Sequence, residues 1–236
     1  MEKRVLNSII KTKLNLSFLN FKALIHRECS DRVEQFDSLR CGTMIDQFFE
    51  GNGTFIREDF EKDRERYDAL AQSQSPKTLW IGCADSRIDP ERITHAKAGE
   101  LFVHRNIGNI VPLQDWNFAS VLEYAVAHLK VENIVICGHS ECGGIKALDK
   151  EMQDSYIPLW INNAREAQIR VDAKMPAPKN AEEEKKRLTE MEKENVRLQI
   201  EHLRTYPIVK KAEEENKVGI HGLYYYLETG VLEELK

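Results

Sequence analysis

The sequence predicts an α/β fold: a central, mainly parallel β-sheet flanked by helices, with an N-terminal helical arm and a C-terminal edge strand. Three observations predict it. Two short apolar runs, Thr78–Ile81 and Val131–Cys137, each stop abruptly at a polar, glycine-bearing segment. The stretch before the second, Phe118 to Lys130, carries apolar residues at i, i+3, i+4 and i+7, the pattern of a helix with a wide buried face. Strand, helix and strand joined by short connections build a parallel sheet.

The elements follow in order. Residues 1–27 set six basic side chains (Lys3, Arg4, Lys11, Lys13, Lys22 and Arg27) against one acid, Glu2, with Leu6, Ile9, Ile10, Leu14 and Leu16 at roughly helical spacing. This segment reads either as a transit sequence to an organelle matrix or as an amphipathic arm on a partner subunit, and an upstream start codon would produce the same pattern. Residues 1–41 are taken as a basic extension and 42–236 as a single domain. From Gly42 to Gln74 the pattern is helical, with Met44, Ile45, Phe48 and Phe49 as an apolar stripe and Gly51-Asn52-Gly53 as an expected break.

Ser75-Pro76 then switches the chain into the first strand. A short helix and loop are expected over 93–99, a second strand over 100–104, and a turn at Arg105-Asn106-Ile107-Gly108-Asn109. Gly143-Gly144 opens another helix. The charge-rich stretch 181–204 reads as a long, solvent-bordered surface helix, 218–227 alternates into a strand, Thr229-Gly230 turns, and 231–235 closes the chain.

Bulk composition narrows the function. The chain has 236 residues, 42% of them hydrophobic and 31% charged, with a net charge of −5. That balance argues against a nucleic-acid binder, and no apolar stretch approaches the ~20 residues of a membrane span. The five cysteines (Cys29, Cys41, Cys83, Cys137 and Cys142) are odd in number and scattered. They fit a reducing compartment, the cytoplasm, better than a disulfide framework.

Ligands of parallel α/β sheets sit at the carboxyl ends of the strands. Cys83 and Asp85 follow the first strand, and His139 and Cys142 follow the third. Two thiolates and an imidazole suit Zn²⁺ and leave a fourth position open. Other readings stand beside this one. Cys83 could be a small buried hydrophobe, as Cys137 is taken to be, and Asp85 could close the site as a fourth ligand. Asp85 and Arg87 form either a fixed acceptor for a nucleophile or a salt bridge that holds the loop. GHSECGGIK is not a phosphate loop, because no Lys-Ser/Thr follows its second glycine.

Cys-Ala-Asp-Ser-Arg at 83–87 and His-Ser-Glu-Cys-Gly-Gly at 139–144 resemble the β-class carbonic anhydrases. The resemblance runs from about Met44 to Leu235. It takes in Pro76-Lys77, Gly99-Glu100-Leu101-Phe102, Arg105-Asn106, Glu123-Tyr124-Ala125-Val126 and Ile220-His221-Gly222. It implies one Zn²⁺ per subunit on Cys83, His139 and Cys142, with Asp85 and Arg87 as the catalytic dyad. It also implies a CO₂ pocket at Gln74, Phe102, Ile107, Tyr124 and Gly143; from the residues alone, Phe102, Ile107 and Tyr124 read equally as core.

The implied reaction is hydration of CO₂ to bicarbonate and a proton by zinc-bound hydroxide, with His95 and His104 as candidate relays. The resemblance further implies a homodimer or dimer of dimers. In some members the aspartate replaces water on zinc while bicarbonate sits at a regulatory site, matched here by Trp80, Gly82, Arg105 and Tyr225. Leu223, which stands where a tryptophan is frequent, argues against this site; separately, Gly108 stands where the asparagine turn usually carries Ala, which would loosen that turn. Hydrolysis of CS₂ or COS on the same scaffold, or a non-catalytic zinc module for oligomerisation or redox sensing, are the competing readings.

Overall fold

Apolar runs form the first three strands: Thr78–Cys83 (β1), Leu101–Asn106 (β2) and Asn133–His139 (β3). The computed structural model describes residues 43–236. Gly219–Tyr225 (β4) and Leu232–Leu235 (β5) complete a five-stranded sheet of order β2-β1-β3-β4-β5. The first four strands run parallel and β5 joins β4 antiparallel at the edge. β1 therefore lies between β2 and β3, in register from Thr78↔Leu101 to Cys83↔Asn106 on one side and from Thr78↔Asn133 to Gly82↔Cys137 on the other. That register brings Cys83 and His139 to the same end of adjacent strands.

The described residues divide into two compact units between Ala69 and Leu70. The first begins with helix Met44–Phe55 (α1), whose start is fixed by a reciprocal cap between Thr43 and Asp46. The break expected at Gly51-Asn52-Gly53 does not occur: α1 runs through it and continues as a wider turn, Ile56–Phe60. Each glycine costs about 1 kcal/mol relative to Ala in a helix, and aromatic contacts just beyond offset that cost. Tyr67 stacks on Phe60 with ring centroids 4.8 Å apart and meets Phe55 edge-on at 5.6 Å.

A helix over Arg64–Leu70 (α2) leads into β1. Asp89 caps Pro90–Thr94 (α3), so this helix starts earlier than expected, at the proline that suits a first helical position. Asp115 caps Trp116–Glu123 (α4), which runs on through Tyr124–Leu129 and stops at Lys130, where φ is +56°. Gly143–Lys146 (α5), Ile157–Ile161 (α6) and Arg165–Asp172 (α7) are short; Ala181–Arg204 (α8) and Pro207–Glu214 (α9) follow.

Strand alternation sorts the core. Leu79, Ile81, Ile134 and Ile136 face one way and pack with Phe118, Leu122, Val196, Leu203 and Val209. Trp80, Val135 and Cys137 face the other way, among Leu101, Val103, Leu223 and Tyr225. Burial pushes the Cys137 thiol up to about 12, and its S–H is given to the Gly138 carbonyl. This matches the inert role expected of it.

The surface-helix expectation for α8 is wrong on its inner face. Met191, Glu192, Asn195, Val196, Leu198, Gln199 and Leu203 are all buried. Charges dominate the composition, but the helix spans 24 residues and keeps one continuous buried stripe. On its outer side Arg170 of α7 donates to Glu166, Glu194 and Glu201, tying α7 to α8. The bond from Arg170 holds the Glu201 carboxyl below its ordinary value, against a smaller opposing effect of burial. Such stabilisation is present above the unfolded value and lost as pH falls through the folded one. Arg170→Ala should therefore lower stability by about 1 kcal/mol at neutral pH, and the difference should close below about pH 4. Thermal melts of both proteins across that range check it.

Candidate metal centre

β1 ends in Cys83 and β3 ends in His139, and the tight turn after β3 returns Cys142 to the same point. The three ligand atoms lie within 4.8 Å of one another, and the two sulfurs are 3.9 Å apart. All three side chains are buried.

His139 Nδ1 lies 2.9 Å from the Ser140 carbonyl, so this nitrogen carries the proton and donates it. Nε2 is then a bare lone pair, and it is a buried atom with no hydrogen-bond partner. A buried imidazole nitrogen left orphaned beside two sulfurs has the chemistry of a metal ligand. The donor set fits zinc.

The thiols are polarised against each other. A hydrogen bond from Cys142 pulls Cys83 down to about 4 despite the opposing cost of burial, and His139 and the Gly108 N–H assist. Cys142 is pushed up by Cys83 first and by burial second. Burial works against a charge on His139, yet the Cys83 thiolate beside it raises its value overall.

Asp85 sits at the rim. Arg87 Nε and its backbone N–H donate to Asp85 Oδ1 at 2.9 and 3.0 Å, and Arg87 Nη2 donates to Oδ2 at 2.7 Å. Oδ2 stands 4.0 Å from His139 Nε2. The bonds from Arg87 hold the Asp85 carboxyl well below the usual carboxylate range, with burial a weaker opposing cause. Arg87 is itself anchored on the Glu141 carbonyl. Arg105 donates to the carbonyls of Cys83 and Asp85 and pins the loop from the β2 side.

Asn106 closes the next turn by bonding both the N–H and the carbonyl of Ile110. Gly108, expected to loosen this turn, tightens it. Its φ of +79° costs glycine nothing, and it is buried with both backbone groups bonded, the N–H to Cys83 Sγ and the carbonyl to Asn195.

The other predicted residues divide into two groups. Ile107 lines an apolar cavity of about 440 Å³ with Ala84, Asn106, Tyr156, Ile157 and Trp160, directly beside the Cys83 loop. Gly143, next to Cys142, borders open space, since a Cβ on it would meet nothing within 4 Å. Phe102 and Tyr124 do not join them within one chain. They neighbour each other with rings 5.8 Å apart, but Phe102 pairs with Leu79, four positions before the Cys83↔Asn106 pair. That separation is about 13 Å along the strand. Gln74 and Tyr124 are exposed.

His104 is half-buried, edge-on to Phe118 and against the Asn106 amide, with its pKa lowered by burial. His95 ends α3 at a φ of +56°. The sequence reading missed Glu192, which accepts the Cys142 N–H at 2.7 Å and the Tyr224 hydroxyl at 2.6 Å. Its signal was a carboxylate set at core spacing, four residues after Leu188 and four before Val196.

A family model described as carbonic anhydrase matches residues 78–232. The chain is 34% identical over 230 residues to beta carbonic anhydrase 3 of Arabidopsis thaliana, covering 93% of this chain and 86% of that one. The chain belongs to the β-class carbonic anhydrases. It is 37% identical over 191 residues to a carbonic anhydrase of Emericella nidulans, covering 80% of this chain and 82% of the relative. Among solved structures, the Coccomyxa β-carbonic anhydrase in complex with acetazolamide superposes with a TM-score of 0.76 at 34% identity, over 82% of this chain and 87% of that one. One of two tetrameric β-carbonic anhydrases from Sordaria macrospora gives 0.75 at 33% identity, over 81% and 96%. The reaction of β-class carbonic anhydrases is reversible hydration of CO₂, and the Cys83–His139–Cys142 cluster is compatible with their zinc site.

Proposed function

We propose that Cys83, His139 and Cys142 hold one Zn²⁺ per chain, and that Asp85, fixed by Arg87, orients the nucleophile that hydrates CO₂. The carrying observation is the orphaned His139 Nε2, which faces two sulfurs with Asp85 Oδ2 at 4.0 Å. When bound, zinc supplies an acidified water as the source of the nucleophile. Asp85 stays ionised and can only accept a hydrogen bond, so it turns the attacking oxygen's lone pair toward the CO₂ carbon. Arg87 prevents the carboxylate from rotating. Ile107 and the apolar wall beside it exclude water, and Gly143 leaves room for the product bicarbonate. Residues 42–236 act in this reading as one functional domain, with 1–41 as an extension, in the reducing cytoplasm. No described helix is long and apolar enough to cross a membrane.

The pocket is completed by a second copy of the chain. Phe102 and Tyr124 belong to the CO₂ pocket by resemblance, yet Phe102 pairs about 13 Å before the Cys83 end of β1, and Tyr124 packs against Phe102 with rings 5.8 Å apart. Tyr124, Trp116 and Leu113 are exposed, as are Met44, Ile45, Phe48 and Phe49 of α1. Exposed apolar side chains on this scale call for a partner. A homodimer in which the partner supplies Gln74, Phe102 and Tyr124 fits both facts, and pairing of dimers would extend it.

The test is stopped-flow CO₂ hydration alongside COS and CS₂ hydrolysis, with zinc content measured on the same samples. Zinc-loaded protein inactive on CO₂ would overturn the reading in favour of the sulfur substrates or of a non-catalytic zinc module. Mixing Asp85→Asn and Tyr124→Ala chains should restore activity to about a quarter of the sites, because half of random dimers would carry one intact pocket.

Regulation by bicarbonate has its own support. Gly82 pairs with Arg105 across β1 and β2, Tyr225 of β4 packs on the cluster that holds Trp80, and the Trp80 indole N–H is buried without a partner. Gly82 provides the space, since a Cβ there would lie 2.8 Å from the Trp80 Nε1. We infer that bicarbonate binds here and releases Asp85 from Arg87 onto the metal. Crystals grown on both sides of neutrality test this, and a water ligand on zinc at every pH would overturn it.

A further inference from the structure

We propose that Asn195 is a positioning residue of the metal centre: from the buried face of α8 it fixes the Gly108 peptide so that the Gly108 N–H stays on Cys83 Sγ. This inference rests on the zinc reading above and concerns how the thiolate ligand is tuned. Asn195 is 1% exposed and its Nδ2 donates to the Gly108 carbonyl at 3.0 Å. The N–H of the same glycine reaches Cys83 Sγ at 3.5 Å.

The orientation of the Asn195 amide follows from backbone chemistry. Gln199, one turn further on α8, must present its oxygen to the Val111 N–H, which can only donate (2.8 Å). The Gln199 amide nitrogen therefore points the other way, toward Asn163 O at 3.3 Å and Asn195 Oδ1 at 2.8 Å. Asn195 consequently presents oxygen to Gln199 and nitrogen to Gly108. The relay runs from the Val111 N–H through Gln199 and Asn195 to the Gly108 carbonyl, and both of its ends lie on one loop. α8 thus staples residues 108–111 at two points. On the other side Gly144 lies so close that a Cβ on it would meet the Gly108 nitrogen at 3.3 Å, so the loop has no room to shift toward it.

Glu192, one turn before Asn195, holds the Cys142 N–H. One buried face of α8 therefore positions both cysteine loops, Cys142 through its own N–H and Cys83 through the Gly108 peptide. A hydrogen bond to a ligand sulfur withdraws electron density from it, so the thiolate offsets less of the metal's charge. With two thiolates in the donor set, that correction acts on the metal's acidity.

The experiment uses the full chain loaded with Co²⁺, whose thiolate charge-transfer absorption reports the sulfur ligands. For Asn195→Leu, and for the milder Asn195→Ser should the first fold poorly, we expect a shifted charge-transfer band. Metal binding should weaken about 10-fold, the low end for loss of a partner that orients a ligand. The midpoint of the kcat/KM pH profile should move to higher pH. Leu203→Ala, buried on the same helix within the apolar core, is the control: it should lower Tm and leave the band and the midpoint unchanged. Asn195 variants with the wild-type band and midpoint would overturn the inference, as would a control that shifts them equally. If wild-type protein bound Co²⁺ without a thiolate band, the metal reading itself would fail.

Discussion

Cys83→Ser should empty the metal centre: zinc content falls from one per chain to near zero, and CO₂ hydration falls by more than about 100-fold. Loss of a partner that merely orients a ligand costs about 10–100-fold, so loss of the ligand itself must exceed that. Serine keeps the size but not the thiolate, and the thiolate is what the site is built to stabilise. The Gly108 N–H and the neighbouring His139 and Cys142 all favour a charge on Cys83. Cys137→Ser is the matched control. Its sulfur is equally buried but lies in the cluster on the opposite face of the sheet, bonded to the Gly138 carbonyl. It should keep both zinc and activity. Metal analysis and stopped-flow assays on the two variants, with circular dichroism to verify the fold, decide the matter.

Asp85→Asn should lower kcat/KM by about 10²–10³-fold while zinc content is unchanged. The amide cannot accept at both positions, so the two bonds from Arg87 to Oδ1 and Oδ2 cannot both survive. A donor would also face the nucleophile where an acceptor is required. Arg87→Ala should cost less, because half of its side chain is already in solvent. The pH behaviour is equally specific. Arg87 depresses the folded pKa of Asp85, so the pair stabilises the fold above the unfolded value of about 4. That stabilisation is lost as pH falls through the still lower folded value. In metal-free protein the Tm difference between wild type and Asp85→Asn should therefore stay constant from about pH 9 to pH 5 and close below about pH 4. A difference that closes near neutrality would contradict a permanently ionised Asp85.

Much of the site was legible because its chemistry is local. Cys83, Asp85 and Arg87 lie within five residues, as do His139 and Cys142, and each group directly follows an apolar run that could only be a strand. Glu192, Asn195 and Gln199 were not legible as parts of it. They are three polar residues in a helix dominated by charge, and their partners lie 50 to 88 residues away in sequence. Only burial separates them from the solvated side chains around them. The continuous α1 across Gly51-Asn52-Gly53 escaped for a similar reason. Propensity marks a break there, and the Phe55, Phe60 and Tyr67 contacts that oppose it lie outside the local window.

Residue order was enough to establish the class of fold and to single out Cys83, His139 and Cys142 as candidate metal ligands beside the Asp85–Arg87 pair, because strand period and donor chemistry are properties of short segments. Tertiary structure alone decided that β1 and β3 are neighbours, so that sulfurs 59 residues apart in sequence approach to 3.9 Å. It alone decided that one face of α8 reaches both cysteine loops, and that Phe102 pairs four positions back along the sheet from the Cys83 end with Tyr124 beside it. Register and crossover are set by how buried faces pack against each other. That is a property of the whole chain, which no single stretch of sequence carries.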